Sequence, residues 1–202
     1  LARLAISIDS ADADEHDGKR GVPGAFAHSV ALLEYARAIG LGTQINASVG
    51  TYDPDALEAL GALAKTLGVD LLSVFLIVPT GRAKAEAAMA PEEVEAMLEH
   101  LARMAEHAPF DVKTTAAPHF RRVLLEHKVG RENIVGVTDG IGRALRGVND
   151  GQGIVFVSHV GTIHPSGFLP IDCGNVRLEG LARTYRTNVL FRALRNPDGF
   201  GG

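Results

Sequence analysis

The sequence predicts an α/β protein, a parallel sheet or barrel followed by a small α+β extension, and three observations predict it. Strand-like and helical runs alternate three times in succession, as parallel α/β sheets require. The helical runs carry their own start or stop residues. After Pro109 the rhythm breaks, and the last fifty or so residues of the 202 read as short strands about a turn, then short helices.

The elements follow in order. Residues 3–9 are strand-like, and a polar loop then carries Asp12, Asp14, His16, Asp17, Lys19 and Arg20. Residues 25–39 are helical, with Phe26, Val30, Leu33 and Ala36 on one face and Gly40 as the stop. Residues 43–49 form a strand. Asp53 and Pro54 are a good N-cap and N1 pair for a helix with Leu57, Leu60, Leu63 and Leu67 at core spacing, closed by Gly68. Residues 71–78 read as a long strand, apolar on both faces. Pro91 opens a helix with Val94, Met97, Leu98, Leu101 and Met104. Residues 110–115 read as a further strand and 118–127 as a helix. Residues 129–150, rich in Gly, Arg and Asn, read as a loop or insertion. Residues 153–158 and 162–165, about Val160-Gly161, read as a β-hairpin, and 178–185 and 189–194 as helices.

Composition excludes several classes. With 46% apolar and 22% charged residues the chain is globular, and a net charge of -4 does not suggest a nucleic-acid partner. No run approaches the ~20 apolar residues of a membrane helix. Cys173 is the single cysteine, so a disulfide framework is impossible and a cytoplasmic setting is expected. The chain starts with Leu1 in a strand and stops on Gly201-Gly202, which reads as a piece of a longer protein.

The strands carry the functional signal. Ser7 and Asp9 share one face of the first strand; Gln44, Asn46 and Ser48 share one face of the second. A parallel sheet covered by helices on both sides is apolar on both faces. One polar face therefore implies a lumen or crevice. Ser7, Asp9, Asn46 and Ser48 also fall near C-terminal strand ends, where α/β folds place ligands, and Pro79-Thr80-Gly81-Arg82 ends the third strand in the same way. Lys113, Thr114, Thr115 and His119 either line that rim or are structural.

Other residues carry less. His100 and His107, seven apart, read as a solvated helix face, since helical metal pairs sit three or four apart. His159 and His164 flank the hairpin turn, and Cys173 reads as a bystander thiol. No metal ligands are assigned. Gly21-Val22-Pro23-Gly24 is a turn, without the spacing of a phosphate-binding loop.

Ser7-Ile8-Asp9-Ser10, His16-Asp17, Arg20-Gly21 and Gly24-Ala25-Phe26 resemble a motif series of radical S-adenosylmethionine (SAM) enzymes of the SPASM or twitch type. Gln44-Ile45-Asn46 resembles the next barrel strand, and Val78-Pro79-Thr80-Gly81-Arg82 the one after. The run 161–168 with Gly174-Asn175-Val176 resembles the hairpin that starts the SPASM extension. The nearest branches are haem biosynthesis and peptide modification.

The resemblance implies the last three or so units of a partial TIM-like (β/α) barrel over residues 1–128, a loop at 129–150, and a truncated extension at 151–202. It implies SAM and a [4Fe-4S] cluster as cofactors, with cluster ligands outside this chain; Ser166 stands where many relatives carry a hairpin cysteine. It implies SAM contacts from Ser7, Asp9, Gln44, Asn46, Pro79 and Thr80, with Arg20 either on the methionyl carboxylate or in a loop ion pair. The activity implied is an oxidoreductase or lyase type: SAM cleavage to a 5′-deoxyadenosyl radical that abstracts hydrogen from a peptide or tetrapyrrole-type substrate, with flavodoxin or ferredoxin as reductant. This chain alone is expected to be inactive, and to form an open, curved sheet with an exposed trough beside Phe75. The competing reading is a non-redox phosphosugar-binding or isomerase module that uses Asp9 and Arg20.

Overall fold

A computed structural model describes residues 3–78, 89–127 and 150–199. The chain divides into two compact units, Leu1–Leu145 and Arg146–Gly202. In the first, β1 (Arg3–Ser7), α1 (Ala13–Arg20), α2 (Ala25–Ala38), β2 (Gly42–Val49), α3 (Pro54–Leu67), β3 (Leu71–Leu76), α4 (Pro91–His107), β4 (Asp111–Thr115) and α5 (Phe120–Glu126) follow in order. The four strands form one parallel sheet in sequential order.

Strand periodicity assigns the faces. Ile8, Ile45, Ala47, Leu72 and Val74 are buried in one core with Leu33 of α2, Leu60 and Ala64 of α3, Leu98 and Leu101 of α4, and Phe120 and Val123 of α5. The helices therefore cover a single face, the one carrying the apolar parity.

Local chemistry fixes the helices. The Asp53 side chain accepts the Asp55 and Ala56 N–H groups at 2.9 and 3.1 Å, with Pro54 next and Gly68 closing α3 at φ 61°. Gly61 lets α4 approach closely, because a Cβ there would stand 2.7 Å from Met104 Cε. At the start of α4 the Glu93 carboxylate accepts the Ala90 N–H at 2.9 Å.

Helix α1 lies where the sequence reads as loop. Its eight residues have no apolar stripe, and its ends hold it instead. Asp12 accepts the Glu15 N–H at 2.8 Å, Asp14 and Glu15 face the positive end of the helix, and Lys19 and Arg20 the negative end. Strand β3 ends at Leu76 rather than 78, and it is not apolar on both faces: Ser73 is fully buried on the face opposite Leu72 and Val74.

The second unit holds the antiparallel pair β5 (Phe156–Val157) and β6 (Ile163–His164), then α6 (Leu181–Thr187) and α7 (Val189–Leu194). Its core is Ile163, Cys173 and Phe191, flanked by Val155, Val176, Tyr185 and Leu190. The Arg195 guanidinium lies 4.6 Å from the Tyr185 ring centroid and donates to the Tyr185 carbonyl at 2.7 Å. No helix among the described residues is long and apolar enough to cross a membrane.

Candidate functional site

The polar parity forms rows across the face opposite the one packed by α2–α5. Ser7 pairs with Asn46, Asn46 with Ser73, and Ser73 with Lys113. One row toward the C-terminal rim, Ser48 pairs with Phe75 and Phe75 with Thr115. Neighbouring parallel strands lie about 4.8 Å apart, so Ser7 and Asn46 are within reach of one ligand. Gln44 Nε2 donates to Asn46 Oδ1 at 2.6 Å, which fixes the Asn46 carboxamide with its oxygen toward Gln44. Ser73 and Thr115 hydroxyls lie 3.5 Å apart.

The trough is not open throughout. Ser7 is exposed and Asn46 half-buried, but Gln44, Leu71 and Ser73 are buried. Accessible polarity sits on β1 and β2, with Ser7, Asn46 and Ser48, and on β4, with half-buried Lys113 and Thr115. Thr114 leaves the rim set: its parity is that of Val74, and its hydroxyl donates to the Ala117 carbonyl at 2.8 Å. His119 is exposed at the start of α5.

Asp9 is tied up at the rim. Its carboxylate turns sideways, accepting the Ser48 N–H at 2.8 Å through Oδ1 and meeting Arg20 at 2.6 Å through Oδ2. Of the two roles open to Arg20, the structure shows the loop ion pair. Each of the two groups is engaged by the other. Pro79 and Thr80 lie outside the described residues.

The motif residues around Asp9 organise the same loop. The Asp9 N–H donates to His16 Nδ1 at 3.1 Å, a role only an unprotonated nitrogen fills, and His16 is 1% exposed against the edge of Phe26. Asp17 accepts the Phe26 N–H at 2.8 Å and also the Gly24 N–H. The Phe26 bond, then the Gly24 bond, hold its carboxyl below the usual range against the opposing effect of burial. Glu15 is held low mainly by Lys19, then by the Ser10 hydroxyl at 2.6 Å. Sequence reasoning places these residues in a recognisable series; the structure gives them the work of setting the rim loop.

A cavity of about 530 Å³ opens at the same rim, walled by Asp9, Ser48, Tyr52, Asp53, Leu57 and Leu60 among others. Tyr52 was not singled out from the sequence. Its hydroxyl lies 3.2 Å from His100 Nδ1, and His100 Nε2 lies 3.0 Å from Glu58. His100 is thus not part of a solvated face, although His107 is exposed.

The described residues hold no group of three metal-ligating side chains. Cys173 is buried, and burial first, then Asp172, pushes its thiol up in pKa. Ser166 is also buried, and its hydroxyl accepts the Phe168 N–H at 3.2 Å. An iron–sulfur cluster usually takes three or four thiolates, so the residues present do not fit one. They do fit a polar ligand at Ser7 and Asn46.

No family model matches the chain. Among solved structures it resembles SuiB of Streptococcus suis, with TM-score 0.57 and 13% identity over 99% of this chain and 44% of that one. It also resembles SuiB bound to S-adenosylmethionine, with TM-score 0.56 and 14% identity over 96% of this chain and 44% of that one. These likenesses define a class by fold: an α/β protein with a parallel sheet of the SuiB kind. In sequence the chain is 35% identical over 204 residues to an AdoMet-dependent heme synthase of Methanosarcina barkeri, covering 100% of this chain and 58% of that one. It is 34% identical over 207 residues to the protein of that name from Nitratidesulfovibrio vulgaris, covering 100% and 56%. The chain therefore spans a little over half the length of these curated relatives. Over its whole length the chain is thus similar to proteins named AdoMet-dependent heme synthase, and the cofactors this likeness implies are SAM and a [4Fe-4S] cluster.

Proposed function

We propose that this chain is the later part of a radical SAM barrel and that its polar face holds SAM, in an enzyme acting on a tetrapyrrole-type substrate. The observation that carries the reading is the Ser7–Asn46 pair, side by side near the strand C-termini on the face opposite the one packed by α2–α5. Sequential strand order with helices on one side is the arrangement an arc of a (β/α) barrel requires, since a doubly wound sheet carries helices on both sides. In this reading residues 1–128 are the barrel segment, 129–150 a connection and 151–202 the start of a SPASM-like extension.

The tetrapyrrole arm is preferred over the peptide arm because relatives at 34–35% identity carry the heme synthase name, while the SuiB likeness rests on 13–14%. SAM supplies a radical for hydrogen abstraction once its cluster reduces it; cluster ligands and reductant belong to the rest of the protein. This chain's own residues bind and orient. The Ser7 hydroxyl and the Asn46 amide hydrogens offer donors toward the ribose and methionyl end. Gln44 keeps the Asn46 amide turned correctly, and the Asp9–Arg20 pair fixes the loop above it. The setting is cytoplasmic, with a flavodoxin or ferredoxin as electron donor.

The test is SAM binding by calorimetry to the intact, anaerobically reconstituted protein. Ser7→Ala and Asn46→Ala each remove one hydrogen-bonding group. Each is expected to weaken SAM by about fivefold to tenfold, the equivalent of about 1 kcal/mol. Unchanged affinity in both variants places SAM elsewhere and defeats the assignment.

A further inference from the structure

The rim cavity and a second groove are joined through three side chains. Tyr52 walls the cavity, and its hydroxyl reaches His100 Nδ1 at 3.2 Å. His100 Nε2 reaches Glu58 at 3.0 Å, and both of these residues line a groove of about 430 Å³ between α3 and α4. Exposure rises outward along the chain of contacts, with the His100 side chain 14% exposed and Glu58 74%. The imidazole stands edge-on to the phenol at 85°, so its ring plane is set as well as its distance. These residues are far apart in sequence, with 48 positions separating Tyr52 from His100. A brace between helices needs only one such contact. Two contacts in series through one imidazole, ending on an exposed carboxylate, make a path.

We propose that Tyr52, His100 and Glu58 form a proton path that carries a proton from an acidic O–H or N–H group in the rim cavity to solvent. The resting arrangement has the Tyr52 O–H donating to Nδ1, and Nε2–H donating to the Glu58 carboxylate. Tyr52 takes a proton from the cavity as it gives its own to Nδ1, and Nε2 releases its proton to Glu58. The phenol is then neutral again, the imidazole is neutral with its proton on Nδ1, and Glu58 is protonated. Glu58 loses that proton to water, and the imidazole regains its first tautomer by swinging into the groove, where Nδ1 releases its proton to water and Nε2 takes one from water; Lys65, Arg103 and His107 are the other charged or titratable groups there. One proton leaves the cavity group, which stays behind as its conjugate base, while the three path residues recover their starting charges. The path is independent of the SAM reading, because it uses none of the polar-face residues.

The test is exchange of the Tyr52 hydroxyl proton with solvent, read by NMR on the whole protein labelled with 13Cζ-tyrosine. This chain contributes three tyrosines, and loss of one signal in Tyr52→Phe assigns that of Tyr52. His100→Gln is expected to slow Tyr52 exchange at least tenfold, and Glu58→Gln at least threefold, with the melting temperature of Glu58→Gln unchanged. Tyr52→Phe is expected to shift the His100 Nδ1 resonance. If His100→Gln unfolds the protein, Glu58→Gln decides alone, since its side chain is exposed. Exchange at the native rate in Glu58→Gln overturns the path and leaves a structural brace between α3, α4 and the β2 loop.

Discussion

The two faces of the β1–β4 sheet use the same strands for opposite purposes. On the helix side Ile45, Ala47, Leu72 and Val74 are each fully buried, and their neighbours are Leu and Phe from four helices. On the other side the same strands present Ser7, Gln44, Asn46 and Ser73, with Gln44 bonded to Asn46 and Ser73 beside the Thr115 hydroxyl. A residue's face is set by parity alone. The difference shows that packing energy and ligand chemistry are separated by one residue of register, so that mutation on one face should leave the other's task intact.

The largest effect expected tests the dry face. Leu72→Ala removes a side chain that is 0% exposed and leaves a cavity, which should cost about 3 kcal/mol in urea unfolding. A loss under about 1 kcal/mol would mean the core closes over the gap and the faces differ less than burial suggests.

A smaller effect is expected at the rim that joins the faces. Asp9→Asn keeps size but removes the charge that meets Arg20, and Asp9 is only 8% exposed. The expected loss is about 1–2 kcal/mol. Arg20→Gln should lose less, because the Arg20 side chain is 36% exposed. Equal losses would show that the pair, rather than the bond from Ser48, holds the loop.

The smallest effect lies away from both faces and serves as their control. His127 at the end of α5 meets Glu99, and Glu106 at 3.4 Å. Glu99 first, with Glu106 adding, raises its pKa above 6.5. The folded protein therefore binds that proton more tightly than the unfolded chain. The stabilisation is complete below about pH 6.5 and is lost as pH rises through the raised value. His127→Gln should abolish that part of the pH dependence of the melting temperature and leave SAM binding unchanged.

Legibility from sequence followed periodicity. The polar face on β1 and β2 was readable because alternation with period two needs no partner to be recognised. Ser73 was hidden in the run Leu71-Leu72-Ser73-Val74-Phe75, which reads as a strand buried on both sides. Helix α1 was hidden because its eight residues are stabilised by capping and end charges, not by an apolar stripe. Ser7 and Asn46 were placed together correctly, as parallel register brings them to adjacent positions. Asp9 lies beyond the end of β1, and its engagement by the Ser48 N–H and by Arg20 is not something parity along the strand reports. The Tyr52–His100 contact joins two elements distant in the chain, and no local pattern reports such a meeting.

The sideways carboxylate of Asp9 gives the sheet an unusual last rung. The main-chain ladder between β1 and β2 runs to the bond from Ile8 N–H to the Asn46 carbonyl at 2.9 Å. The next N–H along β2, that of Ser48, is bound by a side chain instead. A carboxylate on two rotatable bonds releases an N–H without any change in backbone dihedrals, whereas a peptide carbonyl releases one only when the strand moves. The fold thus ends its rigid lattice in a hinged clasp, fastened from outside by a guanidinium, at the level where a ligand on Ser7 and Asn46 would enter or leave.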